Sequence, residues 1–414
     1  MRYRPRAFLR VCAMFLAAGL TGCDQEPAGP PDASPPDVSR PPHVRGAAFD
    51  GAKQARTLST GITMTYVEAG DSDGEAVILL HGYTDTSRSF FRVLETLAAN
   101  GTALHLFALD QRGHGASSMP SDSGCAAAPE TCFAPALMAE DVIAFMDALN
   151  LASAHVVGHS MGSLVAQELA LAHAARVQSL MLIGTFVDGA NPTFNEFLVP
   201  LVEGTDASEG QWRGMLEAGR PGLRWPIDAY DLTPADADPR AREFMVAVWV
   251  TDPTADPSFL AEIVPETTAT RLGTWIGAVR AQHAFDSRTR LAGLTVPALV
   301  IWATQDSLFP EQQQQLVRAA LNNAVDRCSL DHYYYKTYGK APLPVSGLQE
   351  TDIGHNVQWG AHEAIAADLT AWVSTGEPTD DLPFADPNDP SQVLNEPGAA
   401  DVIERRRVSP CPAE

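Results

Sequence analysis

The chain has 414 residues, and 28 Lys and Arg against 51 Asp and Glu give it a formal charge of −23 at pH 7. An acid excess of this size, with no segment that segregates the cations, excludes a nucleic-acid partner, because phosphate binding needs a basic face that displaces counterions. A hydrophobic share of 45% with 19% charged residues excludes general disorder and predicts a real core.

In chain order, Arg2, Arg4, Arg6 and Arg10 precede an apolar run from Val11 to Leu20. A basic stretch before an apolar segment too short to span a bilayer is the pattern of a secretory signal. The following Leu20-Thr21-Gly22-Cys23 resembles the bacterial lipobox, which implies removal of residues 1–22 and lipidation of Cys23. The protein is then a cell-envelope lipoprotein whose membrane partner is reached through N-terminal acyl chains. Several chains on one cysteine suffice for stable anchoring, at about 0.8 kcal/mol per buried CH₂. Asp24 resembles a retention signal for the inner membrane of enteric bacteria, and the choice between inner and outer membrane stays open. Residues 23–45 hold seven prolines and little that is apolar, as in a semi-extended tether.

Strand and helix patterns then alternate. Ala76–Leu80 reads as a buried strand, a helical pattern runs to about Asn100, and Leu104–Leu109 is a second strand. Residues 134–150 form an amphipathic helix, His155–Val157 a strand, Met161–Ala174 a helix and Ser179–Ile183 a strand. This alternation predicts the α/β class: a mostly parallel sheet covered by helices on both faces. From about 186 to 290 the rhythm gives way to a helix-like, proline-broken stretch, which reads as an inserted cap. It returns at Pro297–Trp302, with a helix from Pro310, a tyrosine-rich segment at 333–338 and a last helix from about Gln358 to Val373. The main domain is placed at 46–376, and 377–414 reads as an acidic, proline-containing tail wrapping the surface.

Once Cys12 leaves with the signal and Cys23 is modified, Cys125, Cys132, Cys328 and Cys411 remain, an even number in an oxidising compartment. Three pairings are possible. The short Ala- and Pro-rich loop between Cys125 and Cys132 favours joining these two, which leaves Cys328 to hold the tail at Cys411. No metal site is implied.

Gly158-His159-Ser160-Met161-Gly162 lies where an apolar strand turns directly into a helix. In this context the pattern resembles the nucleophile elbow of the α/β-hydrolase family, where glycines permit the tight turn that lifts the serine above the sheet. The resemblance covers about residues 60–375 and implies Ser160 as nucleophile. Family order places an acid and then a histidine downstream. His355 in Ile-Gly-His-Asn fits the histidine, with His332 and His362 as competitors. Asp306 in Ala-Thr-Gln-Asp-Ser-Leu-Phe-Pro fits the acid, with Asp331, Asp352 and Asp188 as alternatives; Ala303 replaces the usual glycine of that loop. His81-Gly82-Tyr83 resembles the family's oxyanion turn, so the backbone amides of Tyr83 and Met161 are the expected oxyanion donors. His81, Arg112 and His114 read as scaffold. The segment from Cys328 to His355 is longer than the family pattern, with a surface hairpin or a shaped substrate entrance as its two readings.

Haloalkane dehalogenases and epoxide hydrolases of this architecture carry Asp at the position of Ser160, so serine implies acyl transfer. The resemblance therefore implies a serine esterase acting on a small-molecule ester through an acyl-enzyme, without a cofactor. A cofactor-free perhydrolase or haloperoxidase-like enzyme, or a C–C bond hydrolase, would use the same triad. A binding lipoprotein that has lost its chemistry is the alternative of another class.

Overall fold

The computed structural model describes residues 46–208, 210–248, 257–339, 353–386, 389–397, 401–408 and 411. The signal sequence, Cys23, the whole proline-rich tether and the 340–352 part of the long segment before His355 lie outside the described residues.

Nine strands form one sheet in the order β1-β2-β4-β3-β5-β6-β7-β8-β11. These are β1 (Lys53–Thr57), β2 (Thr63–Gly70), β3 (Glu75–Leu80), β4 (Leu104–Asp110), β5 (Ala154–His159), β6 (Val177–Ile183), β7 (Ala298–Ala303), β8 (His332–Tyr338) and β11 (Asp401–Arg406). The six strands from β4 to β8 are mutually parallel. β1, β2 and β11 run antiparallel at the two rims. A separate hairpin joins β9 (Asp381–Asp386) to β10 (Asp389–Pro397).

The central strands read as continuous apolar runs because both faces are covered: every residue of β5 and β7 is buried, and all of β3 beyond Glu75. Helices α1 (Phe91–Ala99), α2 (Pro135–Ala148), α3 (Met161–Ala172), α4 (Glu311–Asp326) and α5 (His362–Thr375) supply the cover. Between β6 and β7 the described chain is helical, from a π-turn segment at Thr193–Leu198 to the helix Leu272–His283, with one isolated bridge between Asp188 and Asp286.

β3 pairs with β4 on one side and β5 on the other, so consecutive connections leave in opposite directions. That switch point opens a crevice at the carboxyl ends of β3 and β5, where ligands bind in open α/β sheets.

The tail departs from its expected course. Asp401–Arg406 adds to the sheet beside β8 in full register, from Asp401 opposite Thr337 to Arg406 opposite His332. An acidic, proline-containing composition conceals this strand, but the otherwise unpaired rim of β8 offers it a ladder of backbone partners. The sheet therefore extends past residue 376. Cys125 is bonded to Cys132, and Cys328 to Cys411 just beyond β11.

Candidate active site

Ser160 sits between β5 and α3 with φ 50° and ψ −119°, a conformation that side-chain-bearing residues seldom adopt. The turn is held from several sides. The Ser160 amide donates to Ile183 O at 2.9 Å, and Ser163 Oγ donates to Ser160 O at 2.6 Å. Glycine is required at 162 because a Cβ there would lie 2.2 Å from Leu80 O. Close approach of α3 to β3 is thus what brings the serine to the crevice.

Asp306 follows β7. Its Oδ1 accepts from the amides of Leu308 and Phe309, both at 2.9 Å, while Oδ2 lies 2.9 Å from His355 Nδ1. Both side chains are buried. A carboxylate so placed fixes His355 as an Nδ1–H donor and leaves Nε2 as its free lone pair. Nε2 has no protein partner, and His355 and Ser160 line the same cleft. Phe309 packs edge-on against the imidazole at 5.2 Å, and Gly184, at φ +54°, leaves space where a Cβ would meet His355 Cε1 at 3.0 Å.

The competitors stand elsewhere. Asp188 pairs with Arg288 at 2.9 Å, and Asp331 pairs with Arg407. His332 opens β8 and stacks edge-on with Tyr334. His362 is half-buried, with Nδ1 2.9 Å from Thr96 Oγ1. Asp352 lies outside the described residues.

Met161 is the first residue of α3, so its amide has no acceptor within the helix. Tyr83 lines the cleft on the other side, its hydroxyl donating to Trp275 O at 2.7 Å. Behind it, His81 accepts from the Gln111 amide through Nε2 at 3.0 Å and bonds Gly82 O through Nδ1 at 2.8 Å. Burial pushes its pKa down to about 4, which keeps this bracing tautomer neutral. Arg112 grips Asp141 at 2.6 and 2.8 Å and also donates to Cys132 O, joining the loop after β4 to α2 and the first disulfide.

The cleft is tight, with a cavity volume of about 30 Å³. Phe194, Leu198, Leu308 and Phe309 form an apolar wall, and Asp85, His159, Gln282 and Asn356 add polar groups. Sequence reasoning gave none of these eight residues a role in the site. Five come from the cap and the loop after β7, where no local pattern marks a lining residue. For Asp85 the available signal was a carboxylate in a Thr- and Ser-rich turn directly after His-Gly-Tyr.

The α/β-hydrolase fold family matches residues 75–334, well over half of the chain. The chain belongs to the α/β-hydrolase family. It is a hydrolase of that family. It is 32% identical to a putative carbamate hydrolase, RutD, of Variovorax paradoxus over 245 residues, 59% of this chain and 79% of that protein. It is also 32% identical over 130 residues to an epoxide hydrolase of Caballeronia sordidicola, but spans only 36% of that protein's length. Among solved structures, an esterase from Exiguobacterium antarcticum superposes with a TM-score of 0.55 at 16% identity, over 78% of this chain and 99% of the esterase. At that identity the superposition speaks for the fold alone.

Proposed function

We propose that this α/β-hydrolase is a serine hydrolase that cleaves small carboxylic esters through an acyl-enzyme. The observation that carries the reading is the convergence of Ser160, in its strained turn, and His355, anchored by Asp306, on one cleft. In the proposed mechanism Ser160 Oγ attacks the carbonyl carbon while His355 Nε2 takes its proton. The amides of Tyr83 and Met161 receive the developing oxyanion. His355 then gives the proton to the departing alkoxide, and water, activated by the same nitrogen, releases the acyl group. Serine at the elbow disfavours epoxide opening, for which a carboxylate nucleophile is needed.

A carbamate is the second reading, supported by the extent of the match to the putative carbamate hydrolase. Attack would expel the alkoxide, protonated by His355 as for an ester, and leave a carbamoyl-enzyme that water hydrolyses. A fluorophosphonate probe tests the serine chemistry: wild type should be labelled and Ser160→Ala should not. Equal labelling of the two, or no labelling of folded wild type, would overturn it. Turnover of p-nitrophenyl butyrate against a matched phenyl carbamate then separates the two substrate classes.

No helix among the described residues is long and apolar enough to cross a membrane. Attachment is proposed through lipidated Cys23, on the basis of residues 1–23. Expressed in a bacterium with lipoprotein processing, wild type should partition into the detergent phase of Triton X-114 and Cys23→Ser into the aqueous phase; identical partitioning would refute the anchor.

A further inference from the structure

The turn after β3 holds a second strained residue beside the cleft. Thr84, β-branched, adopts φ 59°, its hydroxyl donating to Tyr83 O at 2.7 Å, and the next residue, Asp85, is carried into the cleft wall. A β-branched residue in this region is a genuine outlier that surrounding contacts must hold in place.

Asp85 is 3% exposed. Its Oδ2 accepts from Ser89 Oγ at 3.2 Å, and Ser89 in turn accepts from Gln358 Nε2 and Trp359 Nε1 at 3.1 and 2.9 Å. The other oxygen, Oδ1, is buried with no protein partner. The bracing carboxylates of this fold differ in that respect. Asp141 occupies both oxygens with Arg112 and Thr60, Asp110 with Lys53 and the amides of Ser87 and Ala116, and Asp306 as described above. Leaving a buried carboxyl oxygen unpaired is costly. Among the described carboxylates Asp238 Oδ2, in the cap, shares this state, but of the two only Asp85 lines the cleft.

We propose that Asp85 is a substrate-recognition residue, its Oδ1 bonding a hydroxyl or amide group of the substrate close to the scissile carbonyl. The inference rests on the serine-hydrolase reading and specifies its substrate class: polar-substituted acyl compounds rather than plain alkyl esters. Phe194, Leu198, Leu308 and Phe309 line the same cleft, so a bound molecule is sorted by apolar groups and one carboxyl. Burial pushes the Asp85 carboxyl up to about 7. Near neutrality it therefore exists in both forms, donating to an oxygen when protonated and accepting from an O–H or N–H when ionised. A hydroxyl can satisfy either form.

The test compares kcat/KM within two shape-matched pairs. One pair varies the acyl side, p-nitrophenyl 3-hydroxybutyrate against p-nitrophenyl 3-methylbutyrate. The other varies the alcohol side, 2-hydroxyethyl butyrate against propyl butyrate. Wild type should prefer the hydroxyl compound by about tenfold or more in at least one pair, since a site built around a hydrogen bond rejects the analogue lacking it. Asp85→Leu should bring that ratio to within about twofold of one, whereas Asp85→Asn, which keeps a donor and an acceptor, should retain most of it. Wild-type ratios near one in both pairs overturn the proposal without any variant, and so does a preference that survives Asp85→Leu. Fluorophosphonate labelling of the same preparations separates the two levels. Labelled enzyme with flat ratios counts against Asp85 alone, whereas unlabelled wild type counts against Ser160 and so against both.

Discussion

His159 Nε2 lies 3.1 Å from the backbone oxygen of His355, so the residue before the candidate nucleophile holds the chain at the candidate base. Burial and the neighbouring His355 keep the His159 pKa well below its ordinary value, and the neutral ring donates through Nε2. His159→Phe keeps the bulk and removes the donor. We expect kcat to fall by about tenfold, the equivalent of one lost hydrogen bond, with little change in KM. Steady-state kinetics with p-nitrophenyl butyrate checks this, and unchanged kcat would remove His159 from the positioning of His355.

Gly184→Ala tests the same imidazole from another side. At φ +54° an added Cβ is strained in its own right and would press on His355 Cε1 at 3.0 Å. The expected result is a loss of about 1–2 kcal/mol of stability, read by urea unfolding, together with a fall in kcat of about tenfold or more. A stability loss with full activity would show that the ring accommodates the methyl group.

Stability should depend on pH in two opposed ways. Folding pushes the pKa of His81 down to about 4 and of His114 to about 3, and holds that of His159 well below normal, in each case chiefly by burial. Between about 4 and 6.5 the unfolded chain therefore binds more protons than the folded one, and stability is lost as pH falls through this window. Asp85 has the reverse sign. Folded, it keeps its proton up to about 7, against 3.8 ordinarily, so its contribution is present at low pH and lost as pH rises through 7. Three imidazoles outweigh one carboxyl on the acid side. The Tm of Asp85→Asn relative to wild type should accordingly rise from pH 4 to pH 8, by the equivalent of a few kcal/mol at about 1.4 kcal/mol per pKa unit. A difference independent of pH would contradict the placement of the carboxyl.

The two disulfides should differ in their contribution to stability. Cys328 and Cys411 are 83 residues apart in sequence, Cys125 and Cys132 only 7. Chain-entropy arguments assign about 4.6 kcal/mol to the long loop and about 2.4 kcal/mol to the short one. Replacing both cysteines of each pair by serine and comparing urea midpoints should show the larger loss for the 328–411 pair. The reverse order would indicate that the tail holds its place by strand pairing alone.

The parts of the molecule legible in the sequence were those whose signal is local. β3, β5 and β7 declare themselves as apolar runs, and the turn at Ser160 as glycines flanking a serine between strand and helix. β1 escaped notice because four of its five residues are exposed, which leaves no apolar period to read. β11 escaped because its support lies in β8, more than sixty residues earlier. Asp85 was beyond reach for a related reason: its burial depends on Gln358 and Trp359, whose bonds to Ser89 close over it from the far end of the chain. Pairing of His355 with Asp306 rested on resemblance to a family, since no spacing rule links residues 49 positions apart.

The rims of the sheet carry a further consequence. One is formed by β1 with Lys53 and Arg56, the other by β11 with Glu404, Arg405 and Arg406. Charged side chains thus border the sheet on both sides. A foreign strand could extend the sheet only by laying its backbone along them, displacing water from several ions at each step. The chain has used its own strand β11 to occupy the rung that a second molecule would otherwise take. At high concentration these molecules should therefore stay side by side without fusing their sheets.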